Sequence, residues 1–254
     1  MPLGSTTNTP LLEIKELSKK FGGIVVLEGL SLSLSSQELR CIIGPNGCGK
    51  TTLFNVATGA LPPDGGSVYI KGEEVTGLPS HEIARRGIVR KFQVPGIYKD
   101  LSVVENLEVP LNASASRSAW KILTAKPRHS RMLELLDICG LSSKATVLAG
   151  SLSHGEKQWL EIAMLLASDA ELILLDEPTA GMSILETEKT AELINRLRHQ
   201  FNKTVLVIEH DMFFVRLLNC PVMVMMNGSI LRVGPYDEIR KDPKVIEAYL
   251  GRAG

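Results

Sequence analysis

Residues 44–51 read GPNGCGKT, and few eight-residue stretches constrain a fold so tightly. The spacing G-x-x-x-x-G-K-[ST] follows an apolar run, RCII, and opens a helical pattern, TTLFNVATG. Strand, glycine-rich turn and helix in that order wrap backbone N–H groups around an anion, with the helix N-terminus adding its dipole. Gly44, Gly47 and Gly49 supply the close approach. Lys50 reaches β- and γ-phosphates, and the Thr51 hydroxyl suits Mg²⁺. A chance glycine-rich turn would lack these flanks. The motif therefore asks for a parallel sheet with helices on both faces.

The rest of the chain answers that demand. LLEIKEL, IVVLEGLSLSL, ELRCIIG and SVYIKGEEV are short β-branched runs broken by Gly, Ser and Asp, and predict a β-rich start. SVVENLEVPL and RMLELLDICGL carry apolar residues at helical spacing. Beyond residue 155, ELILLDEP and TVLVIEH read as buried strands around the amphipathic SILETEKTAELINRLRHQ. Continuous apolar strands between helices indicate a parallel sheet. The polar, partly basic stretch 112–130 reads as a solvated loop or short helix, with a lipid head-group contact as the lesser alternative.

Composition narrows the partners. The 254 residues are 44% hydrophobic and 22% charged with zero net charge, a globular balance without a nucleic-acid signature. The longest apolar runs, VLVI and VMVMM, are far too short to span a bilayer. MPLGSTTNTP lacks the charged start and apolar centre of a signal peptide, so the chain is expected to be soluble, any membrane role coming through a partner. Four single cysteines exclude a CxxC zinc pattern and suggest a reducing compartment. Cys41, Cys139 and Cys220 read as core residues. Cys48, beside Lys50 at a helix N-terminus, is expected to be a reactive, nucleotide-guarded thiol.

Further chemistry lies at strand ends. LILLDE ends in Asp176, suited to Mg²⁺ through water, and Glu177, suited to polarise an attacking water. His210 ends TVLVIEH, and in a parallel sheet it shares a crevice with Lys50 and Glu177. Gln93, after GIVRKF, is placed to reach Mg²⁺ or the water. In SLSHGEKQWLEI, Ser153 and Glu156 form a capping box, and Gly155 bares a helix tip suited to an anion.

GPNGCGKTT, the glutamine of KFQ, LSHGE, LILLDEP, AGMS and IEHD stand in the order and spacing of ATP-binding-cassette (ABC) transporter ATPases, which the chain resembles over almost its whole length. The resemblance implies an α/β P-loop NTPase core with a parallel sheet, an N-terminal antiparallel β-subdomain and a helical insertion. The single domain would span 11–254, with core and β-subdomain at 11–93 and 159–254 and a helical subdomain at 94–158. It implies that Phe21 stacks on adenine and that Pro45, Asn46, Cys48 and Thr52 join the cradle for ATP with Mg²⁺. LSHGE would cap ATP held by a second chain, so Ser153, His154, Gly155 and Glu156 act in trans. His154 and Glu156 depart from the usual LSGGQ, and AGMS departs from SALD.

Within that family FQ…LSVVENL, PTAGMS, IEHDM and DPKVIEAYLG resemble cassettes of branched-chain amino acid importers. LSHGEKQWLEIAMLL with AGMSILETEKTAELI resembles the urea branch. The implied partners are a like or sister cassette, two membrane permease subunits and, indirectly, a substrate-binding protein, on the cytoplasmic face of the cell membrane and without nucleic acid. A lipopolysaccharide-type exporter ATPase or a soluble non-transport ABC ATPase are the alternatives.

Overall fold

A computed structural model describes residues 9–91, 96–115, 128–168 and 170–250. Two sheets organise it. Strands β1 (Leu12–Phe21), β2 (Ile24–Leu34), β4 (Gly65–Ile70) and β5 (Glu73–Glu74) form an antiparallel sheet in the order β2-β1-β4-β5. The second sheet runs β10-β9-β3-β8-β7-β6, from β3 (Leu39–Ile43), β6 (Ile88–Lys91), β7 (Leu172–Asp176), β8 (Thr204–Ile208), β9 (Val222–Met226) and β10 (Ser229–Gly234). Its strands pair in parallel except for β10, which is antiparallel at the edge.

The apolar runs of this sheet have a simple cause. In β7, Ile173 and Leu175 enter one core cluster, while Leu172 and Leu174 enter another. In β8, Val205 and Val207 divide from Leu206 and Ile208 in the same way. Successive side chains point to opposite faces, so a sheet covered on both sides needs apolar residues at every position. One cover is helical: α3 (Val103–Ala115), α4 (Arg128–Ile138), α5 (His154–Ala167), α6 (Ile184–His199) and α7 (Met212–Leu218). The other combines the antiparallel sheet with α1 (Lys50–Ala57) and α2 (Ser80–Arg85). Truncating Leu174, which is fully buried, removes about 2–5 kcal/mol by the usual large-to-small cost.

Two short helices, α8 (Tyr236–Ile239) and α9 (Pro243–Leu250), close the chain. Helix α5 runs unbroken through residue 158, so a boundary at 158/159 would fall inside one helix. Of the stretch 112–130, residues up to Ala115 continue α3 and those from Arg128 begin α4. No helix among the described residues is long and apolar enough to cross a membrane.

Candidate ATP site

The turn after β3 forms the cradle. Gly49 caps α1 in the left-handed region at φ 102°, where a Cβ would fall 2.6 Å from the Val26 carbonyl oxygen. Gly47 has φ 78° and open space around it, so backbone conformation alone calls for glycine there. No side chain caps α1, which leaves its first-turn N–H groups to an anion. Lys50 folds its ammonium back over the loop, donating to the carbonyls of Gly44 at 2.7 Å and Pro45 at 3.1 Å. Thr51 is exposed beside it and Thr52 half-buried. Phe21, 46% exposed at the β1–β2 turn, presents a ring with Lys19 Nζ 5.7 Å from its centroid.

Cys48 corrects an expectation. Its side chain is buried in the core between the two sheets, where a Cβ on Gly44 would approach Sγ to 2.8 Å. A reactive thiol must meet solvent, and this one packs inward. The residue is a small filler under the cradle, its N–H donating to Pro45 at 3.3 Å.

The parallel strands deliver the acids. Asp176 is fully buried, and its Oδ2 accepts from Arg90 at 2.6 Å while Arg90 also donates to Asn55 at 2.5 Å. Among the described residues Asp176 Oδ1 is buried without a hydrogen-bond partner. Such an orphaned oxygen is costly unless something claims it, and it fits Mg²⁺ or its water shell. No cluster of three His, Cys, Asp or Glu occurs among the described residues.

Glu177 lies at φ 47°, a strained conformation for a side-chain-bearing residue, costing about 1–3 kcal/mol. Its N–H donates to Ile208 at 2.9 Å, and its Oε1 lies 3.5 Å from Nδ1 of the exposed His210. These two residues, distant in the chain, meet because β7 and β8 are parallel neighbours. Gln93 lies outside the described residues, of which Lys91 and Gly96 stand nearest to it in the chain. Lys91 is fully buried 3.6 Å from Glu161 on α5, and the Gly96 N–H donates to Glu161 at 3.1 Å. Burial pulls the Lys91 ammonium below its usual range, against the opposing pull of Glu161.

The cap is built on α5. Ser153 Oγ accepts from the Glu156 N–H at 3.2 Å, and Glu156 Oε2 accepts from the Ser153 N–H at 3.0 Å. Glu156 Oε1 pairs with Lys144 at 2.5 Å. Burial pushes this carboxyl up, yet the hydrogen bonds from Lys144 and Ser153 outweigh it and hold it below its usual value. The carboxylate is therefore engaged within its own chain. Gly155 must be small because a Cβ would fall 2.5 Å from Glu186 Oε1, a side chain fixed by its own capping box with Ser183.

Sequence reading passed over Glu209, Arg90 and Lys144. Glu209 is buried, accepting from Thr179 Oγ1 at 2.6 Å and from the His210 N–H at 3.0 Å. A charged residue inside an apolar strand pattern was the available signal in IEH and in IVRK. Lys144 offered none.

A family model described as ABC transporter matches residues 27–180, and one described as branched-chain amino acid ATP-binding cassette transporter matches 233–254. The high-affinity branched-chain amino acid transport ATP-binding protein BraF of Pseudomonas aeruginosa is 38% identical over 252 residues, 96% of this chain and 99% of the relative. LivG of Escherichia coli K12, described in the same words, gives the same identity and coverage. The crystal structure of the ADP conformation of MJ1267, an ATP-binding cassette of an ABC transporter, superposes with TM-score 0.82 at 31% identity, covering 96% of this chain and 99% of that one. A dimeric post-hydrolysis state of the cassette MJ0796 bound to ADP and Pi gives TM-score 0.74 at 28% identity, covering 89% and 98%.

Proposed function

The chain belongs to the ABC transporter family, among the branched-chain amino acid transport ATP-binding proteins, and is an ATPase coupled to transport; from that premise we propose how its own residues do the work. Lys50 and the 44–52 turn hold the triphosphate, with Phe21 under adenine. Glu177 takes the proton of the attacking water, a role worth about 10²–10⁴ in rate. His210, 3.5 Å away, steadies Glu177 and faces the γ-phosphate. Thr51, Asp176 through its orphaned oxygen, and Gln93 would hold Mg²⁺, which supplies charge neutralisation on the phosphates. The meeting of Glu177 and His210 at the strand ends carries this reading.

Ser153, His154, Gly155 and Glu156 form the cap over ATP bound to a second cassette, Ser153 and the Gly155 N–H facing it while the His154 and Glu156 side chains are held by their own chain, and a head-to-tail two-fold pair completes both sites. The solved relative bound to ADP and Pi is dimeric, which supports a pair. The cap's contacts run to 144 and 180–186, those of the cradle to 26–27 and 225, as two separately presented surfaces require. The second chain is a copy or a sister cassette. Segment 94–158 acts as the helical arm that moves two membrane permeases from the cytoplasmic side, fed by a substrate-binding protein. The solute is a branched-chain amino acid, urea or a small amide; the relatives' names support the first, and the wording of LSHGEKQWLEIAMLL supports urea.

Mixing Lys50→Ala with Ser153→Arg tests the pair. Each alone is nearly inactive; together they form heterodimers with one intact site and recover part of the activity. No recovery, with heterodimers demonstrated and one-site turnover established, defeats capping in trans. Uptake of labelled leucine against labelled urea, in vesicles holding the copurified permeases, decides the solute.

A further inference from the structure

His154 stands where the family's usual cap has a glycine, and its side chain has a definite partner. Although the residue is exposed, its Nε2 lies 2.9 Å from the carbonyl oxygen of Ala180, in the turn between β7 and α6. A carbonyl only accepts, so Nε2 carries the proton; the Gln158 amide, whose nitrogen is placed 3.4 Å from Nε2 and whose oxygen is buried without a partner among the described residues, then fits best turned over, with its oxygen accepting from the same N–H. The ring also lies over Gly181, whose added Cβ would sit 3.6 Å from Nε2.

That turn is wired to the hydrolytic end of the sheet. The Ala180 N–H donates to the Glu177 carbonyl at 3.2 Å, and the Met182 N–H to Thr179 at 3.0 Å. Thr179 donates to Glu209 Oε1 through its hydroxyl at 2.6 Å and its N–H at 3.2 Å. The other Glu209 oxygen accepts the His210 N–H at 3.0 Å. Contacts therefore run without a break from the cap, through His154 and the 180–182 turn, to Glu177 and His210 of the same chain. Glu186, which accepts from the Ser183 N–H at 2.9 Å at the end of the same turn, packs against Gly155 and braces the same junction.

We propose that His154 is a positioning residue that ties the cap to its own chain's Glu177 and His210, so that ATP capped on the partner sets the geometry of hydrolysis in the capping chain. This rests on the trans-capping reading above. A glycine at 154 would leave the cap without this tie. The imidazole touches no reacting atom; it acts through Ala180, whose neighbours hold the base.

The test uses full-length chain and MgATP, comparing His154→Leu, which keeps bulk without a donor, with His154→Gln, which keeps an N–H at similar reach. Losing one neutral hydrogen bond, worth about 0.5–1.5 kcal/mol, corresponds to a roughly two- to twelvefold fall in kcat for the leucine variant. KM should stay within about twofold, and glutamine should restore kcat to within about twofold of wild type, the scale of a bond kept. Unchanged kcat in His154→Leu, a loss carried by KM alone, or a glutamine variant as impaired as leucine overturns the proposal. Recovery in the Lys50→Ala plus Ser153→Arg mixture is independent of residue 154, so failure there strikes trans capping and not the tie. Should the leucine variant not fold, ¹⁵N resonances of the wild-type imidazole decide: a neutral ring protonated at Nε2 supports the tie, and one protonated at Nδ1 overturns it.

Discussion

Replacing Glu209 with glutamine should unsettle the site through a residue that touches no nucleotide. The carboxylate is 1% exposed. One oxygen serves Thr179 Oγ1 at 2.6 Å and the Thr179 N–H at 3.2 Å, the other the N–H groups of His210 at 3.0 Å and Asp211 at 3.4 Å. Glutamine keeps the shape but exchanges one acceptor for an NH₂. The least costly arrangement turns the NH₂ toward Thr179, whose hydroxyl can rotate and accept. The Thr179 N–H then has lost its acceptor. An unsatisfied buried donor costs about 1–3 kcal/mol, and the surviving bonds lose their charge assistance, for a total of about 2–4 kcal/mol. At about 2–4 °C per kcal/mol for a chain of this size, Tm should fall by about 4–16 °C. Calorimetry of the full chain measures this, and ATPase activity should drop with it because His210 and the 179–182 turn lose a shared anchor. Thr179→Val removes only the hydroxyl bond to the carboxylate and should cost about 1.5–3 kcal/mol, with the double variant clearly short of additive. A Glu209→Gln melting point within about 1 °C of wild type would refute the argument that these buried bonds hold the site.

Glu177→Gln should retain ATP and accumulate as an ATP-bound pair, while turnover falls by about 10²–10⁴ from loss of the base; wild-type turnover removes Glu177 from that role. Burial pushes the Cys139 and Cys220 thiols up to about 12 and also raises Cys41, while Cys48 is buried. Maleimide should therefore label none of the four quickly in the folded chain at pH 8, and rapid, ATP-protected labelling of Cys48 would restore the reactive-thiol reading. Lys144→Met should let the Glu156 carboxyl rise toward its ordinary value, as followed by carboxyl ¹³C titration. Because the folded-state pKa is depressed, wild type should lead this variant in stability above the ordinary glutamate pKa. The lead should vanish as pH falls through the depressed value.

The cradle and the sheet that carries it are legible in the order of the amino acids. Strand, glycines, lysine and helix are contiguous in GPNGCGKTT, so local backbone geometry forms the anion site without distant help. Unbroken apolar runs at 172–175 and 205–208 specified strands buried on both faces, because alternating side chains must each find a core. The capping boxes at Ser153 and Ser183 are local too, closed within three residues. The remaining contacts arise from packing between elements distant in the chain. Cys48 looked reactive from its neighbours in sequence, but the packing of the two sheets turned its thiol inward. The unexplained carboxylate of Glu156 found Lys144, and the unexplained His154 found Ala180. Such pairings cross from one element to another, and no periodicity encodes them. Asp176 could be read from its motif, yet only the sheet supplied Arg90 to one oxygen and left the other without a partner among the described residues. Local spacing fixes what the backbone does over one turn. Which buried charges meet depends on strand order, which brings β6, β7 and β8 side by side from distant parts of the chain.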